Sequence, residues 1–221
     1  MRYGTVVRGT FLNRPNRFVA HAVVDGKTET IHVKNTGRCQ ELLIEGAEVW
    51  LEKSDNPSRK TAYDLIAVRK TNGLLVNIDS QAPNKVVREW LAEQNFSRII
   101  PEYTYGRSRI DFYMEKSGKK YLLEVKGGTL EVDGVGYFPD APTERGVKHL
   151  RELARAVGEG YRAAAAFVIQ MDGVREVRPN IETHPAFGVA LQEARKAGVV
   201  LFLQCHVEPD ALSIAGMTKL Q

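Results

Sequence analysis

Two acids and a lysine lie close together in one short stretch of this 221-residue chain. Asp111 precedes the dipeptide Ser117-Gly118, and Glu124 and Lys126 follow it. If Ser117-Gly118 forms the two-residue turn of a β-hairpin, Asp111 lies directly opposite Glu124. Lys126 lies two positions further along the same strand as Glu124, so it points to the same face. The spacing therefore predicts that all three side chains meet on one side of a hairpin.

Two carboxylates in these positions would lie about 5 Å apart at Cβ and would repel each other unless a cation neutralised them. Mg²⁺ or Mn²⁺ prefers oxygen ligands of this kind, and a bound ion also generates a hydroxide nucleophile and stabilises charge on a phosphoryl group. We predict that Asp111 and Glu124 hold such an ion. Lys126 would position the attacking water or neutralise the developing negative charge. The alternative is an exposed strand face on which Lys126 only forms a salt bridge.

Residues outside the hairpin are candidates for the same site. Glu89, on the preceding predicted helix, would add a carboxylate, or it is a solvent-facing charge beside Arg88. Arg145 and His149 lie one turn apart on a later helix, where His149 would bind phosphate or transfer a proton. A polar stripe at this spacing is also typical of a solvated face. Asp140 would contact metal-bound water or begin that later helix, and we favour the second interpretation.

The first part of the chain has the pattern of an all-β domain, which we place at residues 1–82. Segments rich in β-branched and aromatic residues alternate with turn residues, and Asp25-Gly26 indicates a tight hairpin. A small barrel of the oligonucleotide-binding (OB) type fits this length, although a small sandwich satisfies the same pattern. The predicted strands are Thr5–Leu12, Arg17–Val24, Thr28–Lys34, Glu48–Glu52, Asp64–Arg69 and Leu74–Ile78.

Residues 83–221 have the pattern of a second domain, in which helices alternate with strands. Strands separated by helices pair in parallel, and consecutive strands form hairpins, so we predict an α/β domain with a mixed central sheet. Asn84 is placed to cap the first helix. The predicted elements are a helix Asn84–Gln94, strands Ile99–Tyr105, Arg109–Glu115 and Lys120–Lys126, a helix Thr143–Val157, a strand Ala163–Gln170, a helix Pro185–Ala197 and a strand Val199–His206.

An Asp on one hairpin strand and Glu-x-Lys on the next, within this order of elements, resembles the PD-(D/E)xK nuclease superfamily. Longer motifs resemble the sugar fermentation stimulation protein family (SfsA) over nearly the whole chain. The most specific is the last of the following set: Asn35-Thr36-Gly37-Arg38, Asn56-Pro57-Ser58-Arg59-Lys60-Thr61, Pro83-Asn84, the segment 105–112, Glu124-Val125-Lys126 and the segment 138–150. The chain departs from the family pattern at Cys39, at Asp79-Ser80 and at Gly127-Gly128, where a bulkier pair is more usual.

The resemblance implies an OB-type barrel followed by a PD-(D/E)xK nuclease-like domain, DNA binding and a regulatory role in sugar (maltose) metabolism. It places Asp111, Glu124 and Lys126 at an active site, with Glu89 as an addition. We therefore predict a DNA-binding protein with a Mg²⁺-dependent phosphodiesterase site. The alternative is a non-catalytic DNA-binding regulator that uses a nuclease-like scaffold, because fold alone does not decide between them.

Cations on the barrel loops and beside the hairpin would contact the phosphate backbone of DNA. Exposed Arg and Lys are also ordinary solubilising residues. Aromatic platforms are sparse in the barrel, so we expect backbone binding more than base readout. The predicted DNA-binding side chains are Arg8, Arg17, Arg38, Arg59, Lys60, Arg107, Arg109, Arg145 and His149.

Composition sets wider bounds. Hydrophobic residues make up 43% and charged residues 26% of the chain, as in ordinary globular proteins. The formal charge of +4 permits nucleic acid as a partner without demanding it. Motifs for nucleotide cofactors are missing, and no apolar window is long enough for a membrane span. With Cys39 and Cys205 far apart and no leader-like start, we expect a cytoplasmic protein with reduced thiols. A homodimer would let two sites face opposite DNA strands, although no segment marks an interface.

Overall fold

The fold was determined as a computed structural model that describes residues 1–35 and 37–219, with side chains to residue 217. Thr36 of the Asn35–Arg38 motif therefore lies outside the described residues. Within these ranges the chain forms fifteen β-strands and three α-helices. They are arranged as a small barrel followed by a mixed-sheet α/β domain.

The barrel is closed by five strands in the order β3-β2-β1-β4-β5, with β5 returning to β3 in parallel. Asp25 and Gly26 both have positive φ, 49° and 75°, as a two-residue hairpin turn requires, and they join β2 to β3. The OB-type prediction is confirmed, and closure excludes the open sandwich. The strands are β1 (Val6–Asn13), β2 (Val19–Val24), β3 (Lys27–Val33), β4 (Glu48–Lys53) and β5 (Tyr63–Arg69), and β6 (Leu75–Asn77) extends the sheet beside β5.

The second domain is built on a six-stranded sheet in the order β15-β14-β12-β9-β8-β7. Strands β9, β12 and β14 are parallel, and β7, β8 and β15 join them in antiparallel pairs, which confirms the mixed sheet. The elements are α1 (Ala82–Ala92), β7 (Arg98–Tyr105), β8 (Ser108–Lys116), β9 (Lys119–Gly128), β10 (Leu130–Val132), β11 (Val135–Phe138), α2 (Glu144–Gly158), β12 (Arg162–Ile169), β13 (Glu176–Pro179), α3 (Pro185–Lys196), β14 (Val200–Glu208) and β15 (Ala211–Lys219).

Helices cover both faces of this sheet. Val147 and Leu150 of α2 pack in the same buried cluster as Phe167, together with apolar residues of α3 and of the barrel. Val87 of α1 packs with Leu123 in a separate cluster on the other face. This layering places the hairpin of β8 and β9 between α1 and α2. Residues of both helices can therefore contact the candidate side chains of the hairpin.

The starts of two helices differ from the sequence prediction. Helix α1 begins at Ala82, and Pro83 occupies its first turn, where a missing N–H costs no hydrogen bond. Asn84 therefore lies inside the helix and does not cap it. Helix α2 is capped by Thr143, whose hydroxyl accepts the N–H of Gly146 at 3.0 Å. The favoured interpretation that Asp140 begins this helix is wrong.

Polar contacts join the two domains. The Nε2 atom of Gln170, just after β12, donates to Oδ1 of Asn77 at 2.9 Å. Lys70 of the barrel forms a 2.5 Å ion pair with the buried Glu131. Among the described residues no helix is long and apolar enough to cross a membrane.

The two cysteines, Cys39 and Cys205, are buried and unpaired with each other. Burial raises the pKa of each thiol to about 12. Both thiols therefore stay protonated at neutral pH, which makes them poor nucleophiles.

Candidate metal centre

The hairpin that carries the candidate acids has the predicted register from its turn as far as Phe112, but the predicted direct pairing of Asp111 with Glu124 is not formed. Strands β8 and β9 pair from Phe112 opposite Leu123 to Lys116 opposite Lys119. Ser117 and Gly118 form the turn between them with φ of 51° and 72°. The local sequence fixes this register because both turn residues must adopt positive φ.

Beyond Phe112 and Leu123 the two strands separate, and Asp111 lies in the resulting fork. Its Oδ2 atom accepts the backbone N–H of Val125 at 2.7 Å, and its Oδ1 accepts Nδ2 of Asn84 at 2.9 Å. Asn84 in the first turn of α1 thus orients the carboxylate. Sequence reasoning had assigned Asn84 only to capping.

Glu124 lies on β9 and is almost completely buried, with 2% of its surface exposed. Its Oε1 atom accepts hydrogen bonds from Nζ of Lys126 at 2.5 Å and from Nδ1 of His149. Its Oε2 atom is also buried, and no donor in the described part of the chain reaches it. An unpartnered buried carboxylate oxygen is costly unless something outside the chain satisfies it.

His149 reaches this site from α2, and it is 3% exposed. Its Nε2 atom faces Nε of Arg145 at 3.5 Å, a weak hydrogen bond in which Nε2 accepts. The proton of a neutral ring is then on Nδ1, which donates to Glu124. The prediction placed His149 near the site but did not give it this positioning contact.

The two acids have opposite pKa shifts. Burial raises the pKa of Asp111, and the charge of Glu124 raises it further. Burial also pushes the pKa of Glu124 upward, but the hydrogen bond from His149 and the charge of Lys126 outweigh burial and lower it. The protein therefore stabilises the charge of Glu124 and leaves that of Asp111 incompletely compensated, which a cation would correct.

These residues fit a small divalent cation. No group of three or more His, Cys, Asp or Glu side chains is placed to bind a metal among the residues that the structure describes. Magnesium does not need such a cage, because it is often bound by one or two carboxylates with waters and substrate oxygens. Asp111 and the unpartnered Oε2 of Glu124 supply donors of that type.

The structure does not bring Glu89 to this pair of acids. Its carboxylate forms a 2.6 Å ion pair with the amino group of Met1, and its side chain is 60% exposed. Glu89 is five positions after Asn84 in α1, about 140° around the helix, so Asn84 faces Asp111 and Glu89 faces elsewhere. The expected additional carboxylate is thus engaged at the N-terminus.

A basic groove lies beside His149, and we name it the α2 groove. The exposed cations on it include the predicted Arg107, Arg109 and Arg145 and also Lys148. Arg107 lies in the turn between β7 and β8, and Arg145 lies in the first turn of α2. Ser108 lines the groove, and its buried hydroxyl has no partner among the described residues. Glu144 also lines the groove, but the four cations outnumber this acid, so the groove has the charge of an anion site.

Two of the predicted DNA-binding cations are neighbours in a barrel loop but differ in their contacts. Arg59 makes two hydrogen bonds to Asp64, of 3.0 Å and 2.6 Å, and is half-buried. Lys60 is exposed. The guanidinium of Arg59 is therefore engaged in a structural ion pair, whereas Lys60 is presented to solvent.

The other predicted DNA-binding cations of the barrel, Arg8, Arg17 and Arg38, are exposed. Arg8 forms a 2.9 Å ion pair with Glu48. Arg14 donates to the backbone carbonyls of Arg17 at 2.7 Å and of Arg38 at 3.0 Å. Arg14 thus ties together the two loops that carry Arg17 and Arg38.

Family models match both domains. Residues 12–78 match the model described as "SfsA N-terminal OB domain", and residues 81–211 match "Sugar fermentation stimulation protein RE domain". A sugar fermentation stimulation protein homolog of Desulfitobacterium hafniense is 55% identical over 216 residues, which cover 96% of this chain and 94% of the relative. Another, from Clostridium beijerinckii, is 50% identical over 219 residues, covering 97% and 96%.

A solved structure with the same fold is "The structure of Pyrococcus Furiosus SfsA in complex with Ca2+". Its TM-score is 0.87 at 28% sequence identity, and the match covers 100% of this chain and 98% of that chain. The two proteins therefore share both domains, and the Pyrococcus protein binds a divalent cation in that structure.

Proposed function

Because this chain belongs to the sugar fermentation stimulation protein (SfsA) family, we propose that it binds DNA and hydrolyses phosphodiester bonds at the Asp111–Glu124 pair. One observation carries the proposal. The half-buried Asp111 and the buried Glu124 converge where β8 and β9 separate. Oε2 of Glu124 is left without a partner among the described residues, while Oε1 has two donors. A buried carboxylate oxygen normally has a partner, so the unpartnered Oε2 of Glu124, beside a second acid, is available to a cation.

Mg²⁺ or Mn²⁺ at these acids would supply a Lewis acid and lower the pKa of a bound water. Calcium bound to the Pyrococcus relative supports a divalent cation in this family. Asn84 and the Val125 N–H orient Asp111, and His149 and Lys126 fix Glu124. Both carboxylates are thus held before substrate arrives.

Lys126 is the residue that would act on substrate. Its ammonium donates to Glu124, and its side chain keeps 16% of its surface exposed. It is therefore placed beside the acids with access to solvent, where it orients a water or stabilises charge on the phosphoryl oxygens.

DNA backbone binding is assigned to the α2 groove and to the exposed barrel cations. The groove adjoins His149 and therefore the metal centre. Arg17, Arg38 and Lys60 are exposed cations of the barrel that would contact further phosphates. Phosphate contacts of this kind position a strand without reading its sequence.

The test is a titration of Mg²⁺ and of Mn²⁺ with end-labelled DNA and RNA, in single-stranded and duplex forms. We expect metal-dependent cleavage by the wild type and at least about 100-fold less cleavage by Asp111→Asn and Glu124→Gln. Glu182→Gln, at an exposed acid, is the matched control and retains activity. Salt-sensitive DNA binding without cleavage of any substrate would contradict hydrolysis and support a DNA-binding regulator on a nuclease-like scaffold.

A further inference from the structure

A cleft of about 300 Å³ opens between the barrel and the α/β domain. It lies outside the carboxyl ends of the parallel strands β9 and β12, where Gly127 and Gln170 line it. Asn35 and Gly37 of the barrel close one side, and Asp140 lies at the edge before α2. Ligands of open α/β sheets bind in the crevice at this end of the strands.

The cleft adjoins the metal centre. Pro83, on its wall, immediately precedes Asn84, which orients Asp111. Gly127, also on its wall, immediately follows Lys126. A nucleic acid strand whose phosphate lies at the acids would therefore have an adjoining nucleoside within reach of the cleft.

Two acceptors line the cleft, Oε1 of Gln170 and the carboxylate of Asp140. Gln170 uses both hydrogens of Nε2, toward Oδ1 of Asn77 at 2.9 Å and the carbonyl of Asp79 at 3.1 Å. Its Oε1 atom is directed toward Gly127, where a Cβ atom would collide with it. No donor in the described residues reaches Oε1, although Gln170 is 2% exposed.

Asp140 adds a carboxylate directly beside Gly37. A negative charge at this edge disfavours a phosphate, in contrast to the cations of the α2 groove. A flat, neutral group with N–H donors fits the cleft better, and a nucleobase is such a group. The two glycines keep the space open, because a side chain at either position would meet Gln170 or Asp140.

We propose that this cleft binds one unpaired nucleobase of the strand held at the metal centre, so that the substrate class is single-stranded nucleic acid or an unpaired end. This inference rests on the proposed function, since it assumes that the strand crosses the Asp111–Glu124 pair. A base inside a duplex enters such a pocket only after it is unpaired and unstacked, which costs free energy and favours single strands.

The test uses the full-length wild type in EDTA and 12-nucleotide DNA strands that carry 2-aminopurine at one position each. The fluorescence of 2-aminopurine rises when it leaves the base stack. We expect a several-fold rise at one or two adjacent positions of the scan. We also expect the single strand to bind about tenfold more tightly than the same sequence as a duplex, because one pocketed base contributes on this scale.

Variants test whether the cleft causes the signal. Ala141→Phe, at a half-buried residue on the cleft wall, fills the space and abolishes the rise, and the smaller Ala141→Leu reduces it. Ala186→Phe adds the same bulk on the exposed side of α3 and leaves the rise intact. Thermal unfolding of each variant shows whether it is folded, and the leucine variant provides the test if the phenylalanine variant is not.

Equal affinity for single strand and duplex, with no fluorescence rise at any position, would overturn the inference. A rise that Ala141→Phe and Ala141→Leu leave unchanged would also overturn it. Because the signal is read without metal, it is independent of hydrolysis. Metal-dependent cleavage without the fluorescence rise would contradict only the proposal of a base-binding cleft. A fluorescence rise without cleavage would contradict only the proposed phosphodiesterase activity.

Discussion

His149 and Glu124 are hydrogen-bonded to each other between α2 and β9, although 25 positions separate them in sequence. This contact and the one from Lys126 use the same oxygen, Oε1, and leave Oε2 for another ligand. His149 is therefore a positioning residue for a metal ligand. Removal of such a partner typically costs metal affinity or activity without removing the ligand itself.

The first prediction concerns this contact. His149→Ala should lower metal affinity or cleavage by roughly 10- to 100-fold, and His149→Gln, which keeps an N–H donor, should restore part of the loss. Isothermal titration calorimetry with Mn²⁺ measures the affinity. His206→Ala, at an exposed histidine that pairs with Asp172, is the control. Wild-type metal affinity in His149→Ala would show that Glu124 needs no positioning.

The second prediction concerns Lys126, whose removal should affect the cleavage rate and not metal binding. Lys126→Met removes the ammonium beside the acids but keeps both carboxylates, so metal binding should remain while the cleavage rate falls by roughly 100- to 1,000-fold. Single-turnover cleavage with saturating enzyme separates this rate from DNA affinity. Lys126→Arg keeps the positive charge and should retain more activity. If Lys126→Met lost only DNA affinity, the lysine would act in binding alone.

The α2 groove should determine the salt dependence of DNA binding. Each cation that contacts a phosphate contributes about one unit to the slope of log K against log salt concentration. Arg107→Gln and Arg145→Gln should each reduce that slope by about 1, as measured by fluorescence anisotropy between 50 mM and 300 mM salt. Arg162→Gln, at the first residue of β12 and outside the α2 groove, should leave the slope unchanged. An equal decrease in all three variants would indicate only a loss of net charge.

Asp64 should make the free energy of unfolding depend on pH. Burial raises its pKa, but hydrogen bonds from Arg59 and His32 and the charge of Lys34 outweigh burial and hold the pKa well below its usual range. The pKa of an aspartate in the unfolded chain is about 4. Because the pKa of Asp64 is lower in the folded protein, its charge stabilises the fold above about pH 4, and this stabilisation is lost as the pH falls from there toward the pKa of the folded state.

Asp64→Asn should therefore cost about 3 kcal/mol at pH 7, because it leaves Arg59 without its acid and removes one of the acids around Lys34, which keeps Asp79. The difference from the wild type should be the same at pH 5.5 and smaller by about 1 kcal/mol at pH 3. Urea unfolding at the three pH values measures it, with the exposed Asp55→Asn as control. If the difference in the free energy of unfolding between the wild type and Asp64→Asn did not change with pH, the charge of the carboxylate would not be its cause.

Local signals explain most of what the sequence predicted. Turn residues with positive φ defined the hairpins at Asp25-Gly26 and Ser117-Gly118, and the second hairpin fixed the register that brings the candidate acids together. Asp133-Gly134 is a turn of the same type and joins β10 to β11. The sequence prediction did not include these two strands or their small sheet. Strand β15 was missed although Pro209-Asp210 is a two-residue turn before it.

Contacts between distant segments could not be predicted in this way. The ion pair of Glu89 with the Met1 amino group and the hydrogen bond from Gln170 to Asn77 depend on how separate parts of the chain pack. Nothing in the spacing of His149 specifies Glu124 as its partner. The sequence therefore predicted which residues belong to the candidate metal centre better than it predicted which atoms they contact.

The most direct test of a shared cation at Asp111 and Glu124 is anomalous diffraction from crystals soaked in Mn²⁺, for the wild type and for Asp111→Asn. We predict one strong peak within ligand distance of both carboxylates, about 2.1 Å, in the wild type and its loss in the variant. Wild-type crystals with no peak at this pair, or a peak of equal height in Asp111→Asn, would contradict the metal centre.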